Sequence, residues 1–404
     1  MLEHTSWETA RDLLLEHVTR IGTENVPLED CAGRILAMDL KAAEDVPPFD
    51  RSAYDGYALR SCDIVHASPG HPVTLRITET IPAGCQPEKP VSAGCAAHIM
   101  TGGPIPEGAD CVINFERTVF TPEQVTLSCP LSAGANIVRR GEDVHAGDVL
   151  APCGTRIDAG LAGTLAAQGM ARVPVYRRPV AGIISTGSEI MEAGEALLPG
   201  RIYNSNRSSF TALLQQEGCN VRYLGLCPDD AGKICALIEK GLPECDLILL
   251  TGGVSVGDWD LTPRAMEMAG ARMLLSGVDI KPGMACAYGV SGHTLILGLS
   301  GNPASSITNF CACALPALRY MAGHRNCMPT PIEAVCAEGF AKKSPSTRFL
   351  RGSVAFTGGR VMFHAAPGQG NAVLSSAIGC NAFCLIPAGS GPVRPGDVLS
   401  GFLI

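Results

Sequence analysis

The chain has 404 residues, 46% of them hydrophobic and 17% charged, which is globular composition with apolar material for two to four domains. A net charge of −8 argues against nucleic-acid binding, because a phosphate backbone calls for dense Lys and Arg. No apolar run approaches the roughly 18–20 residues of a membrane span, and the polar start lacks a signal-peptide layout, so the expectation is a cytoplasmic protein with no membrane partner. The 18 cysteines include no CxxC pair and read as small buried hydrophobes rather than disulfides or metal ligands.

In chain order, Trp7, Ala10, Leu14 and Val18 recur at helical spacing behind Ser6, which predicts a helix over 6–19 capped by that serine. From 44 to 152, short β-prone runs at 73–80, 98–101, 111–115 and 125–128 alternate with Gly/Pro turns, the pattern of a small all-β module. A helix is expected over 158–168, with Gly169 near its end. From Pro179 the period changes. Strands are predicted at 180–185, 220–226, 246–250, 272–275 and 294–299, with helices at 207–217, 231–240, 263–269 and 304–321. Such alternation implies parallel βαβ units in a three-layer α/β/α sandwich, and 328–404 returns to strands and turns as a second β domain. The fold class is thus multidomain α/β plus all-β.

In an open parallel sheet, ligands bind beyond the carboxyl ends of the strands. Three Gly-bearing loops stand at such ends here, 186–189, 251–260 and 301–306. Gly allows close backbone approach, and the exposed amides of such loops favour phosphates and other oxyanions. Ser255, Ser305 and Ser306 would add hydroxyls. One such loop is no more than a tight strand-to-helix turn; three at one edge point to a ligand. The same loops carry Glu189, Asp258 and Asp260, and Asp229-Asp230 follows another strand end. Two carboxylates ~5 Å apart repel by roughly 3 kcal/mol at an effective dielectric of ~20, so a mouth that gathers them shares a proton or binds a cation, and oxygen ligands suit Mg²⁺. Asp230 alternatively caps the helix that begins near Ala231. No HExxH, GxSxG or Walker pattern occurs, which disfavours a zinc hydrolase, a serine hydrolase of the nucleophile-elbow type and a P-loop NTPase.

Several runs follow one another in a specific order: PPFDRSAYDGYA (47–58), MTGGPIPEG (100–108), RRGED (139–143), STGSE (185–189), Asn204-Ser205-Asn206, TGGVSVGD (251–258), Lys281-Pro282-Gly283 and Gly301-Asn302-Pro303. Together they resemble the molybdopterin molybdenumtransferase family (MoeA and the E domain of gephyrin), over essentially the whole chain. The resemblance implies an elongated four-domain homodimer that inserts molybdenum from molybdate into adenylylated molybdopterin, with Mg²⁺, releasing AMP and molybdenum cofactor. The implied domains are 1–44 with 146–178 (linker and dimerisation), 45–145 (inserted β module), 179–327 (α/β, molybdopterin-binding) and 328–404 (C-terminal β-barrel-like).

By the family's motifs, Glu189, Asp229, Asp260 and Lys281 face the ligand as catalytic groups, the three carboxylates also holding the metal. Thr186, Gly187, Gly252, Gly253, Ser255 and Pro303 line the cradle. Asp55, Thr101 and Asp143, with Arg139 and Arg140 for anion neutralisation, are expected from the partner subunit. Contacts with the molybdopterin adenylyltransferase and with molybdoenzyme chaperones are the further expected partnerships. The chain departs from the family where KPGKP becomes Lys281-Pro282-Gly283-Met284-Ala285, where a frequent Lys is replaced by Gly277, and where LPGNP has Ser300 for its Pro. Each missing Lys removes a charge-assisted contact worth ~1.5–3 kcal/mol. Those losses keep two alternatives open: a non-catalytic cofactor-binding or scaffold paralogue, and a tungsten-specific insertase.

Overall fold

The computed structural model describes residues 1–254 and 261–404. They form two compact units, one of Met1–Met38, Cys153–Asp158 and Arg172–Ile404, the other of Asp39–Pro152 and Ala159–Ala171.

The first unit is built on a seven-stranded sheet. In chain order its strands are β1 (Leu2–Thr5), β2 (Val180–Thr186), β3 (Asn220–Cys227), β4 (Leu247–Thr251), β5 (Arg272–Val278), β6 (Cys286–Ser291) and β7 (Thr294–Leu299), arranged β1-β5-β6-β7-β4-β2-β3. The pairs β3–β2, β2–β4 and β4–β7 are parallel, as the βαβ spacing predicts. Two strands went unpredicted. β1 is polar and largely exposed, and it pairs in parallel with β5 at the sheet edge. β6 runs antiparallel to both β5 and β7, joined to β7 through Gly292-His293. Its residues Cys286 to Gly289 are all buried, so no in/out alternation marks it as a strand.

Helices α1 (Trp7–Glu16), α2 (Ser205–Gln216), α3 (Ala231–Gly241) and α4 (Leu261–Met268) cover the sheet. Ser6 caps α1 as expected, accepting from the amide of Thr9. Alternate residues of each central strand serve opposite faces. Ile183, Leu249 and Leu297 pack with Ala10 and Leu14 of α1 and Phe210 and Leu214 of α2. Ile184, Ile248 and Ile296 pack with Ile234 and Ile238 of α3 and Met266 of α4. Truncating one such residue, Leu249 to Ala, costs about 2–5 kcal/mol. The single helix expected over 304–321 is broken in the middle. α5 (Pro303–Asn309) passes through a π turn, Phe310–Ala314, into α6 (Leu315–Met321). Pro316 lacks an N–H and its ring clashes with a carbonyl one turn back, so the ladder widens there.

The C-terminal strands close on themselves. Thr347–Thr357 pairs with Arg360–Ala365 and with Ala382–Ile386; the latter pairs with Val398–Leu403, then Pro331–Cys336, then Arg360–Ala365 again. This is a five-stranded barrel. A short strand, Ile280–Lys281, joins it in parallel, opposite Thr347 and Arg348.

The second unit carries a six-stranded sheet in the order Cys111–Asn114, Gly56–Leu59, Cys95–Ile99, Val73–Ile81, Gln124–Leu127, Thr118–Phe120, with a helix at Ala159–Ala167. The cysteines are free, and burial pushes thiols such as Cys219 and Cys384 up to about 12, so they serve as small apolar side chains. Among the described residues no helix is long and apolar enough to cross a membrane.

Candidate active site

At the carboxyl ends of β2, β4 and β7 lies a crevice of about 1200 Å³. Its floor is made by two of the predicted Gly loops and the start of the third: Thr186-Gly187, Gly252-Gly253 and Gly301 to Pro303. Gly252 is there for close approach. Its φ is +109°, and a Cβ would lie 2.5 Å from the Thr186 hydroxyl and 2.6 Å from the Thr186 carbonyl. The loops are tied from behind: the Thr262 hydroxyl donates to the Gly252 carbonyl at 2.9 Å, and the Thr186 hydroxyl to the Thr251 carbonyl at 3.3 Å. Rigid amide-bearing loops of this kind suit a phosphate or another oxyanion.

Glu189, Asp229 and Lys281 line this same crevice. The Glu189 carboxylate lies against Gly187, where a Cβ would come within 3.0 Å of both its oxygens. One residue on, the Ser188 amide donates to Asp229 Oδ2 at 3.3 Å. Two carboxylates thus lie beside adjacent residues of one turn, Gly187 and Ser188. Asp230 does the other job weighed for the pair: it is the N-cap of α3, accepting from the Lys233 amide at 3.0 Å. Lys281 is the one cation among the described lining residues. Its loop is seated on α5 by the Asn309 side chain, which donates to the Gly283 carbonyl at 2.8 Å. Asp260, Asp258 and Ser255 lie outside the described residues. Of the other two serines considered, Ser305 lines the crevice, whereas the Ser306 hydroxyl bonds back to the Asn302 and Pro303 carbonyls.

Residues the sequence did not nominate complete the walls. Asn206 lines the crevice and donates to the Gly301 carbonyl at 2.8 Å, and its buried Oδ1 has no hydrogen-bond partner among the described residues. Asn204 is buried in a network with Ser185, Glu192 and Tyr223. Burial raises the Glu192 carboxyl, but hydrogen bonds from Tyr223, Asn204 and Arg207 outweigh it and hold the group below the usual glutamate range. Burial, then the bond to Glu192, pushes Tyr223 up to about 12. The Asn204-Ser205-Asn206 run was the only signal for this wall. The opposite wall comes from barrel loops, through Pro345, Ser346, Asn371 and Leu374, which no motif marked.

The remaining predicted residues belong to the second compact unit. There the three motifs read separately in the sequence come together. The Thr101 amide and hydroxyl both donate to Asp55 Oδ1, at 2.6 and 2.7 Å, and hold that carboxyl below its ordinary value. Ser52 exchanges backbone bonds with Gly102 and Gly103, and the loop carrying Asp143 bonds back to Val46 and Pro47. Arg139 pairs with Asp50 at 2.6 Å and Arg140 with Asp45 at 2.5 Å, so both guanidiniums already have carboxylate partners. Asp143 is exposed.

Residues 5–169 match the MoeA N-terminal region (domain I and II), 182–320 a probable molybdopterin binding domain, and 333–400 the MoeA C-terminal region (domain IV). The molybdopterin molybdenumtransferase of Bacillus subtilis is 37% identical over 386 residues, covering 95% of this chain and 90% of that protein. The chain belongs to the molybdopterin molybdenumtransferase (MoeA) family. It is a transferase. The Staphylococcus epidermidis molybdopterin molybdenumtransferase is 34% identical over 98% of this chain and 94% of its own length. The crystal structure of the molybdopterin biosynthesis MoeA protein from Pyrococcus horikoshii OT3 superposes with a TM-score of 0.84 at 31% identity, covering 99% of this chain and 100% of that one.

The chain's departures from the MoeA motifs have physical counterparts. Gly277 has φ +79°, and a Cβ there would lie 3.1 Å from the His4 ring, so a lysine at this position would be strained. Met284 is 48% exposed at the crevice, where a lysine would fit.

Proposed function

We propose that the chain inserts molybdenum from molybdate into adenylylated molybdopterin, with hydrolysis of the phosphoanhydride and release of AMP and molybdenum cofactor. The observation that carries this reading is the meeting of Glu189, Asp229 and Lys281 with the Gly loops in one crevice. The loop amides and Lys281 would hold the anionic substrate. Glu189 and Asp229 would orient its reacting groups, with Asp260 as a third carboxylate. Catalysis would rest on positioning and electrostatics rather than a covalent intermediate.

Mg²⁺ fits this donor set. It commonly binds through one or two carboxylates plus substrate phosphate oxygens, and Glu189 and Asp229 supply oxygen ligands beside adjacent residues. When bound, it lowers the negative charge on the phosphoanhydride.

The four-domain division, a cytoplasmic homodimer and a contribution of Asp55, Thr101, Asp143, Arg139 and Arg140 from the partner belong to the same reading. So do contacts with the molybdopterin adenylyltransferase and molybdoenzyme chaperones. The experiment mixes two inactive variants, Asp55→Ala and Asp229→Ala. If each site draws on both protomers, equal mixing restores about a quarter of wild-type AMP release, because half the dimers carry one intact site. No recovery after subunit exchange sinks the shared site. Wild-type turnover by Asp229→Ala and Glu189→Gln alike sinks the assigned roles.

That Lys281 is the one cation among the described lining residues favours a second reading, a paralogue that binds cofactor without turning it over. Complementation of a strain unable to make molybdenum cofactor separates the two, and tungstate in place of molybdate in the same assay tests metal choice.

A further inference from the structure

A second crevice, of about 280 Å³, opens where β2 and β3 begin, at the end of the sheet away from the Gly loops. Its charged lining comprises Arg34, Arg156, Arg177, Arg178 and Arg319, with Glu217 and His324. Three of the arginines have carboxylates. Arg34 pairs with Glu24, Arg177 holds Asp246 through two bonds of 2.7 and 2.5 Å, and Arg319 holds Glu217 through two of 2.8 and 2.7 Å. Arg156 and Arg178 have no ion-paired or hydrogen-bonded side-chain partner among the described residues, and both are exposed at the crevice. They are not needed as helix caps. The last carbonyls of α2 accept from the Glu217, Gly218 and Cys219 amides, and those of α6 from the Ala322, Gly323 and His324 amides. In a chain of net charge −8, this is a local excess of positive charge without a structural partner.

We propose that this crevice is a second ligand site, taking a tetrahedral oxyanion, free or as the terminal phosphate of a small ester, between Arg156 and Arg178 beside His324. Its size lies at the lower limit of small-molecule pockets, which suits a phosphate-sized group and leaves no room for a bulky ring system. Guanidinium forks match tetrahedral oxyanions in geometry and charge. The arginine pairs to Glu217 and Asp246 fix the walls, so the free guanidiniums close on a preformed cavity. The site is independent of the function proposed above.

His324 reports occupancy. Burial holds its imidazole below the ordinary histidine range; Glu217 opposes this, and Arg319 and Arg156 reinforce it. A dianion in the crevice offsets the two arginines, so binding raises the His324 pKa and moves its ring resonances.

The experiment follows those resonances in the full chain by NMR while inorganic phosphate is added, with His324→Gln to assign the signal. Saturable shifts are expected, weakened about tenfold or more in Arg156→Gln/Arg178→Gln and unchanged in Lys281→Ala, which alters only the larger crevice. Titration with glycerol 3-phosphate and with molybdate distinguishes the sources: tighter binding of the ester assigns an ester, tighter binding of a free oxyanion assigns the inorganic ion. Absence of saturation at tens of millimolar phosphate, or equal binding by the double variant, overturns the proposal. Loss of the response in Lys281→Ala does so as well.

Discussion

Replacing Asn309 by Ala removes the fastening between the Lys281 loop and the helix beneath it. Asn309 is 1% exposed and serves two partners at once: it donates to the Gly283 carbonyl at 2.8 Å and accepts from the Tyr288 hydroxyl at 2.5 Å. Tyr288 is itself fully buried, and burial holds its phenol well above the usual value, so its hydroxyl stays a neutral donor. Truncation takes the donor from the Gly283 carbonyl and the amide acceptor from the Tyr288 hydroxyl, which keeps only the thiols of Cys286 and Cys313. At about 1–3 kcal/mol each, the expected loss is about 2–6 kcal/mol. Tyr288→Phe removes only one bond and should cost about 1–3 kcal/mol, and the double variant should lose less than the sum because the two changes share a network. Urea denaturation reads the stabilities, and the KM for the anionic substrate reads the loop, since Gly283 is two residues from Lys281. An Asn309→Ala protein within about 0.5 kcal/mol of wild type, with unchanged KM, would refute both the energetics and the fastening.

Met284→Lys should place a second ammonium at the crevice and lower the KM for molybdate by roughly threefold to tenfold, an exposure-limited gain that shrinks with added salt. A salt-independent KM equal to wild type would show that the position does not face the ligand. Gly277→Lys, the same charge four residues before Lys281, should instead destabilise by about 1–2 kcal/mol, because φ is +79° and His4 occupies the Cβ direction; a thermal melt decides. For Glu192 the folded pKa is depressed. Its contribution is therefore complete above the ordinary glutamate range and lost as pH falls through the lower, folded value. Tyr223→Phe removes one of the bonds responsible and should move the onset of acid unfolding to higher pH; an unshifted acid limb would contradict the network.

The Gly positions after β2 and β4, and the acids Glu189 and Asp229 that follow β2 and β3, were readable because each sits within a few residues of a strand whose apolar run announces itself. What escaped was assembled over long sequence distances. The barrel residues Ser346 and Asn371 reach the crevice only after five strands have closed, and no local pattern encodes that. β1 was missed because an edge strand can stay polar, and β6 because a strand buried on both faces loses its alternation. Asn309 looked like an ordinary helix position, and its polar reach across to Gly283 depends on the fold of the intervening hairpin. The clustering of Asp55 with Thr101 had a different obstacle: 46 residues separate them, and only the pairing of Gly56–Leu59 with Cys95–Ile99 sets them side by side.

The short strand at Ile280–Lys281 gives the C-terminal barrel a part in the chemistry that its distance in sequence conceals. Its rungs are shared with Thr347 and Arg348, so the backbone of the lysine belongs mechanically to the barrel while its loop also rests on α5. The barrel also supplies one lip of the crevice. A movement of the barrel that widened the mouth would therefore pull on the backbone of Lys281 through those rungs, against the bond that fastens its loop to α5. The position of the lysine and the width of the mouth would then be coupled through the backbone rather than through a side-chain contact.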